Sequence, residues 1–271
     1  TEILTVVLSF SVRRDFYLHV LMYFLNVSII TQLILCIVQI VIVVCTKNYY
    51  AYIIVMPVCT ILMNVLNSLA VDRLYPEIKC EGMVAEETKK AIKKNTMALV
   101  GTKLSSTVLH SSDNLVISIF LGLSMVAVYE NYYYIMYAVI GFLGIIYSSM
   151  TAGVGNSIVS ESMEKNYRDF EILTLLNNWL VTWCCCCFLC LFQPFMRLWV
   201  GESLMLSDSM VVLFVLYFFV YQNNKIVLTY KDAAGLWWQD RIRPYVVMSV
   251  NLVVNIISVQ VIGIYGVICS T

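Results

Sequence analysis

Apolar runs of membrane-crossing length alternate along this chain with short polar breaks, and the alternation is sharpest between Thr96 and Tyr137. That stretch reads as two long apolar helices, spans D and E, joined by a turn around Gly122 to Ser124. Before it come an apolar tail from Thr1 to Val12 (span A), the charged break Arg13-Arg14-Asp15, and an uncharged run from Phe16 to Thr46. A helix needs only about 20 residues to cross a bilayer, so span B in that run is expected to start in the interface and to tilt or bend. Lys47 to Tyr50 reads as a loop, and span C as Ala51 to Val71 with a kink at Pro57. Asp72 to Asn95 is the longest polar segment, with Glu86, Glu87, Lys89, Lys90, Lys93 and Lys94 spaced as on a solvated helix. Beyond span E, which is expected to end near Met150, lie a polar loop from Thr151 to Phe170 and span F, Ile172 to Met196. Span G is Met210 to Leu228, span H is Tyr245 to Ile262, and a further span begins at Val267 after a turn at Gly263 to Gly266.

Composition turns this pattern into a fold class. The chain is 61% hydrophobic and 13% charged, whereas a soluble domain is about 45–50% apolar and about 25% charged. The expectation is an all-α polytopic membrane protein, present as a fragment of about eight spans. A net charge of zero offers nothing to nucleic acid. The first apolar run has no basic leader or cleavage site and is no signal peptide. Both ends are expected to be internal to a longer protein. Cys184 to Cys187 are consecutive on a helix, where successive side chains diverge by about 100°, so they cannot converge on one metal. They read as small apolar side chains.

Basic residues orient the spans. Arg13, Arg14, Arg73, Lys79, Lys89, Lys90, Lys93, Lys94, Lys165, Arg168, Lys231, Arg241 and Arg243 fall in one set of alternate loops, and only Lys47 and Arg197 in the other. By the positive-inside rule the first set is cytoplasmic. Trp199 and the tyrosines from Tyr129 to Tyr137 then belong near the outer interface, and Trp237 and Trp238 near the inner one.

Enzyme chemistry has little to stand on. Two histidines exclude a three-histidine metal site, no nucleotide-binding Gly-x-x-x-x-Gly-Lys loop occurs, and no Asp-x-Asp pair offers a metal–nucleotide site. Gly153-Val154-Gly155 lacks the lysine and the preceding strand. No catalytic residue and no cofactor are expected. What remains is polar residues inside apolar helices. Lys103, Thr107, His110 and Asn114 step by four, three and four along one side of span D, with Asp113 beside them. An ionised carboxylate at mid-membrane costs about 2.5–3.5 kcal/mol on insertion scales, so it faces water or a partner. His110 and Asp113 are either a cation-responsive pair lining a cavity or a packing contact. Lys103 either binds phosphate or snorkels to water. Asn177, Asn178, Asn223, Asn224, Asn251 and Asn255 either join helices or bind ligand. Tyr129, Tyr133 and Tyr137 share a face, as an interfacial belt or as a platform for sugar rings.

Five stretches, DNLVISIFLGLSMVAVYENYYYI (113–135), GVGNSIVSESMEKNYRDF (153–170), QPFMRLWVG (193–201), KDAAGLWWQDRIRPYV (231–246) and GIYGVICST (263–271), occur in order. Together they resemble the bacterial polysaccharide-repeat-unit flippases of the multidrug/oligosaccharidyl-lipid/polysaccharide exporter superfamily. The resemblance implies two six-helix lobes around a central cavity in the bacterial cytoplasmic membrane. Residues 1–71 would end the first lobe, 72–97 would be the cytoplasmic interlobe linker, and 98–271 the truncated second lobe. It implies translocation of undecaprenyl-diphosphate-linked oligosaccharide for capsule or exopolysaccharide synthesis. The implied partners are that lipid-linked oligosaccharide, membrane lipids, and a polysaccharide polymerase with its chain-length machinery, but no nucleic acid. Asp113, Asn114, Gly122, Gly155, Asn156, Trp199, Gly201, Gly235, Asp240 and Pro244 match the family pattern, most of them in roles of fold or loop geometry. In that frame Lys103, His110, Asn114 and Tyr133 are the expected substrate-binding residues and Asp113 the expected cation-coupling residue. Two rivals stand beside this reading: a drug/cation antiporter of the same fold, and a polytopic enzyme of polysaccharide assembly, which should carry a large outer loop. The outer loops near Lys47, Ser124, Arg197 and Gly263 are short.

Overall fold

A computed structural model describes residues 29–30, 32–74 and 85–270, with some side chains inside those ranges, His110 among them, left undescribed. Span A, the start of span B and the middle of the 72–97 linker lie outside the described residues. Every regular element among the described residues is helical. The chain divides into two compact units, Thr1–Met83 and Val84–Thr271.

The first unit contains α1 (Gln32–Thr46) and α2 (Tyr49–Leu74). The turn between them is shorter than the expected loop, because Asn48 starts α2 by accepting the backbone N–H of Tyr50 at 2.9 Å. Helix α2 continues through Pro57.

The second unit holds α3 (Glu86–Phe120), α4 (Leu123–Ser160), α5 (Met163–Trp199), α6 (Asp208–Ala233), α7 (Arg243–Ile262) and the short α8 (Ile264–Ser270). Helices α4, α5, α6 and α7 are the four described helices long and apolar enough to cross a membrane. They present lipid-like surfaces outward: Val261 is 77% exposed, Trp179 71%, and Ile145 and Val220 each 67%. Soluble monomers rarely expose continuous apolar surface beyond a few hundred Å². These are the features of a helical membrane protein.

Two boundaries differ from expectation. No loop spans 151–170: α4 runs on to Ser160, α5 begins at Met163, and only Glu161 and Ser162 connect them. The residues there are polar because the helices protrude into water, where a helix still satisfies its own backbone. Thr151 and Ser160 hydroxyls also donate back to the carbonyls of Tyr147 and Asn156, both at 2.9 Å. At 38 residues α4 is about 57 Å long, more than the ~30 Å hydrocarbon core of a bilayer. Likewise Glu86 to Asn95 is the first part of α3 rather than a separate piece, and Lys103, His110, Asp113 and Asn114 leave the rest of α3, expected as span D, outside the four helices apolar enough to cross. The D–E turn falls where expected: Gly122 has φ 89°, a conformation that a Cβ disfavours, and its N–H reaches back to Ile117 at 3.0 Å.

Packing sorts the helices into an order. Helix α3 lies against α7, α7 against α8, α4 against α6, and α6 against α5. Lys94 meets Trp238, and the backbone of Gly155 lies close to Ala233. The start of α3, the α4–α5 turn and the α6–α7 turn therefore share one end of the bundle. Tyr265 on α8 bonds Ser207 and Ser209 at the other end, at 3.0 and 2.8 Å. Most basic residues of this unit gather at the first end, and Arg197 at the second.

Candidate functional site

A cavity of about 660 Å³ opens among α3, α6, α7 and α8. Helix α3 contributes the hydroxyls of Thr102, Ser105 and Ser106, and α6 contributes Tyr217, Tyr221, Asn224 and Lys225. Arg243 comes from the first turn of α7. Leucines and valines between them, such as Leu109, Leu213 and Val220, make the remaining wall apolar.

The polar groups are graded along the cavity. Tyr217 and Tyr221, one helical turn apart, stack at 5.6 Å. Lys225, a further turn along, sits 4.5 Å over the Tyr221 ring. Among the described residues no carboxylate pairs with Lys225. Arg243 is different, since its Nε donates to Asp240 Oδ1 at 2.8 Å, and Lys231 Nζ donates to the other oxygen at 3.0 Å. Burial pushes the Asp240 carboxyl upward, but hydrogen bonds from Arg243 and Lys231 outweigh it and hold the group below the usual carboxylate value. Ser105 is 2% exposed, lines the cavity, and has no hydrogen-bond partner for its Oγ. An unpaired buried hydroxyl costs about 1–3 kcal/mol, and a ligand oxygen would relieve that cost.

Behind the tyrosine wall lies a second polar group. Asp113 is 3% exposed and accepts the Asn255 amide at 2.7 Å, which ties α3 to α7. It neighbours the hydroxyls of Tyr129 and Tyr133 on α4 and Tyr217 on α6. Tyr133 and Tyr217 also hydrogen-bond each other. The residue before it, Ser112, donates to Asn251, which stands one turn before Asn255 on α7 and whose own amide continues to the Ser270 carbonyl at 2.9 Å. Tyr217 is thus shared: it faces the cavity and touches the group around the buried carboxyl.

The sequence-derived site is only partly brought together. Asp113 and Tyr133 share this polar group. Asn114 is half-buried and donates to Glu130 on α4. Lys103 and Thr107 are exposed and stand apart from Asp113. The buried side of α3 runs through Ala98, Ser105 and Ser112, nearly opposite the Lys103–Asn114 row at about 100° per residue, with Asp113 and Ile117 between the two. The His110 side chain lies outside the described residues. Of the two readings open for Asp113, cavity lining and packing, the buried contact with Asn255 matches packing, and Asp113 is not among the residues lining this cavity. The tyrosine row is not a uniform interfacial belt: Tyr129 and Tyr132 are buried, while Tyr134 and Tyr137 face outward.

Sequence reasoning missed Lys225 and Arg243 as cavity residues. The available signal was a lysine placed inside the polar end of an otherwise apolar span, flanked by Asn223 and Asn224. Comparison of the chain with protein-family models, with curated proteins and with solved structures finds no match.

Proposed function

We propose that this chain is part of a flippase that moves undecaprenyl-diphosphate-linked oligosaccharide across the bacterial cytoplasmic membrane. The observation that carries the reading is the cavity itself: cationic at one end, aromatic and hydroxylated along one wall, and apolar elsewhere. Such a lining suits an amphiphile with an anionic head and a sugar. Lys225, with Arg243 beside it, attracts the diphosphate. Tyr217 and Tyr221 offer faces to sugar rings, and the Ser105 hydroxyl supplies a hydrogen bond. The lipid tail stays in the bilayer, and alternating access between two lobes moves the head. In this scheme Asp113 couples transport to a cation through Tyr217, the residue that belongs to both groups.

A cationic lining disfavours the drug/cation antiporter, whose cargo it would repel. The test uses the full-length protein. Lys225→Gln is expected to cut surface polymer severalfold at normal membrane level, and Lys103→Gln, at an exposed site, to have little effect. Asp113→Asn keeps an oxygen that can accept the Asn255 amide and removes only the charge, so it is expected to abolish export while the protein accumulates normally. Export at the wild-type rate by both the Lys225 and Asp113 variants, with expulsion of small cationic dyes, would favour the antiporter.

A further inference from the structure

A second concavity lies at the basic end of the bundle, outside the cavity described above. This cleft, of about 600 Å³, is bounded by Lys90, Lys93 and Lys94 on α3, Trp238 and Arg241 in the α6–α7 turn, and Tyr245 on α7. Four cations line it and no carboxylate does. Of the acids that flank it, Glu86 pairs with Lys89 at 3.4 Å, Glu87 stands one turn before Lys90, and Asp240 is held by Lys231 and Arg243. Arg241 is therefore left to the cleft, where its guanidinium lies 4.1 Å from the Trp238 ring centre. Lys94 Nζ lies 4.6 Å from the same ring. The indole holds two cations near each other that would otherwise repel.

Directly below the cations the lining turns apolar, with Met97, Ala98 and Ile242. Met97 and Ile242 are each 61% exposed, so the lipid-facing surface of the bundle starts here. Tyr245 closes the floor against Gly101, where the ring comes so near that an added Cβ would sit 2.2 Å from its hydroxyl. The cleft thus spans the boundary between water and hydrocarbon: phosphate-binding chemistry above, acyl-chain surface beneath, and an amphipathic indole between them.

We propose that this cleft is a binding site for the headgroup of an anionic phospholipid, held by Lys93, Lys94 and Arg241, with an acyl chain lying along Met97 and Ile242. The site is separate from the transport cavity and does not depend on which cargo that cavity takes. The apolar floor selects a lipid over a free phosphate, which would use only the upper half.

Trp238 is a built-in reporter. Full-length protein in nanodiscs is titrated with brominated phosphatidylglycerol or brominated phosphatidylcholine while tryptophan fluorescence is followed, with Trp238→Phe identifying the local part of the quench. The anionic lipid is expected to quench Trp238 at a far lower mole fraction than the zwitterionic lipid. Lys93→Gln and Lys94→Gln, both at exposed positions that leave the fold intact, are each expected to weaken that preference about fivefold, and Lys→Arg at the same positions to preserve it. Equal quenching by the two lipids overturns the proposal. So does inorganic phosphate that removes the preference at matched ionic strength, because it assigns the cations to a free anion. Lys93→Gln and Lys94→Gln variants that keep the full preference also overturn it.

Discussion

The two sides of the second unit are held together by different chemistry. Between α4, α5 and α6 the middle of the contact is aromatic, with hydrogen bonds on either side of it, Tyr147 to Asn177 at 2.6 Å and Tyr132 to Gln193 at 2.8 Å. Phe188 stacks on Phe192 at 4.8 Å and meets Phe218 edge-on at 5.0 Å, while Phe214 lies against Tyr129 and Tyr132 at 5.3 and 6.2 Å. Between α3, α7 and α8 the contact is made by small and polar residues. Asn255 bonds Asp113, Asn251 bonds Ser112, and Gly266 lies against the backbone of Ser258, whose hydroxyl donates to the Gly266 carbonyl at 3.0 Å. Within a membrane the apolar exterior is as content in lipid as in a neighbour, so association relies on packing and hydrogen bonds rather than on escape from water. The aromatic side supplies dispersion over a broad area. The polar side adds hydrogen bonds with fixed partners, which set register. The transport cavity lies where the two meet, bounded by α6 from one side and by α3, α7 and α8 from the other.

The largest expected effect breaks the aromatic side. Phe218 is fully buried, and Phe218→Ala should lower stability by about 3–5 kcal/mol, the cost of an aromatic cavity in a packed core. Unfolding of the purified protein by denaturing detergent measures it; a loss under about 1 kcal/mol would mean that the phenylalanine cluster is fluid and bears little. Next comes the closest approach on the polar side. A Cβ on Gly266 would stand 2.4 Å from the Ser258 carbonyl carbon, which as backbone cannot step aside. Gly266→Val should cost about 1–3 kcal/mol by overpacking, and Ser258→Gly should not rescue it. Undiminished stability of Gly266→Val would show that α8 can dock another way.

A double-mutant cycle sharpens the comparison further. Asp113→Leu and Asn255→Leu, each alone and combined, should return a coupling of about 0.6–1.7 kcal/mol, the range for hydrogen bonds between membrane helices. Zero coupling would remove the register role of that pair. The smallest effect lies in the α6–α7 turn. The Asp240 carboxyl is lowered in the folded state, so the stabilisation from Lys231 and Arg243 is complete above the ordinary aspartate value of about 4. It is lost as pH falls through the lowered folded value. The near-ultraviolet circular dichroism of Trp237 and Trp238 in this turn should therefore be constant above the ordinary aspartate value and change as the pH falls well below it, and Asp240→Asn should flatten that dependence. A wild-type signal that does not change on acidification would contradict the ion network.

Much of the fold was legible in the sequence because it is local. Helix formation satisfies backbone groups within a single segment, so runs of apolar residues broken by Gly122 or by Arg241 and Pro244 are enough to place most helices. Their ends were misjudged at 151–170, since polarity along a protruding helix reports the water boundary and not the end of hydrogen bonding. The basic asymmetry along the loops was also readable, being a one-dimensional property of the chain.

The inward face of each helix was decided only in three dimensions. A helix that is apolar all round offers no contrast between a lipid-facing and a protein-facing side, so nothing in the spacing of Tyr129, Tyr132, Tyr134 and Tyr137 says which two are buried. Asp113 stood out by its charge, but its partner Asn255 lies 142 residues away and is one of several span asparagines with equal claim. Lys225 gained its place in a cavity wall from the approach of α3 and α7, and Trp238 gained two cations from different segments. Charge and polarity are properties of a residue and can be read singly. Contact is a property of pairs brought together by folding, and it needed the packed bundle to declare it.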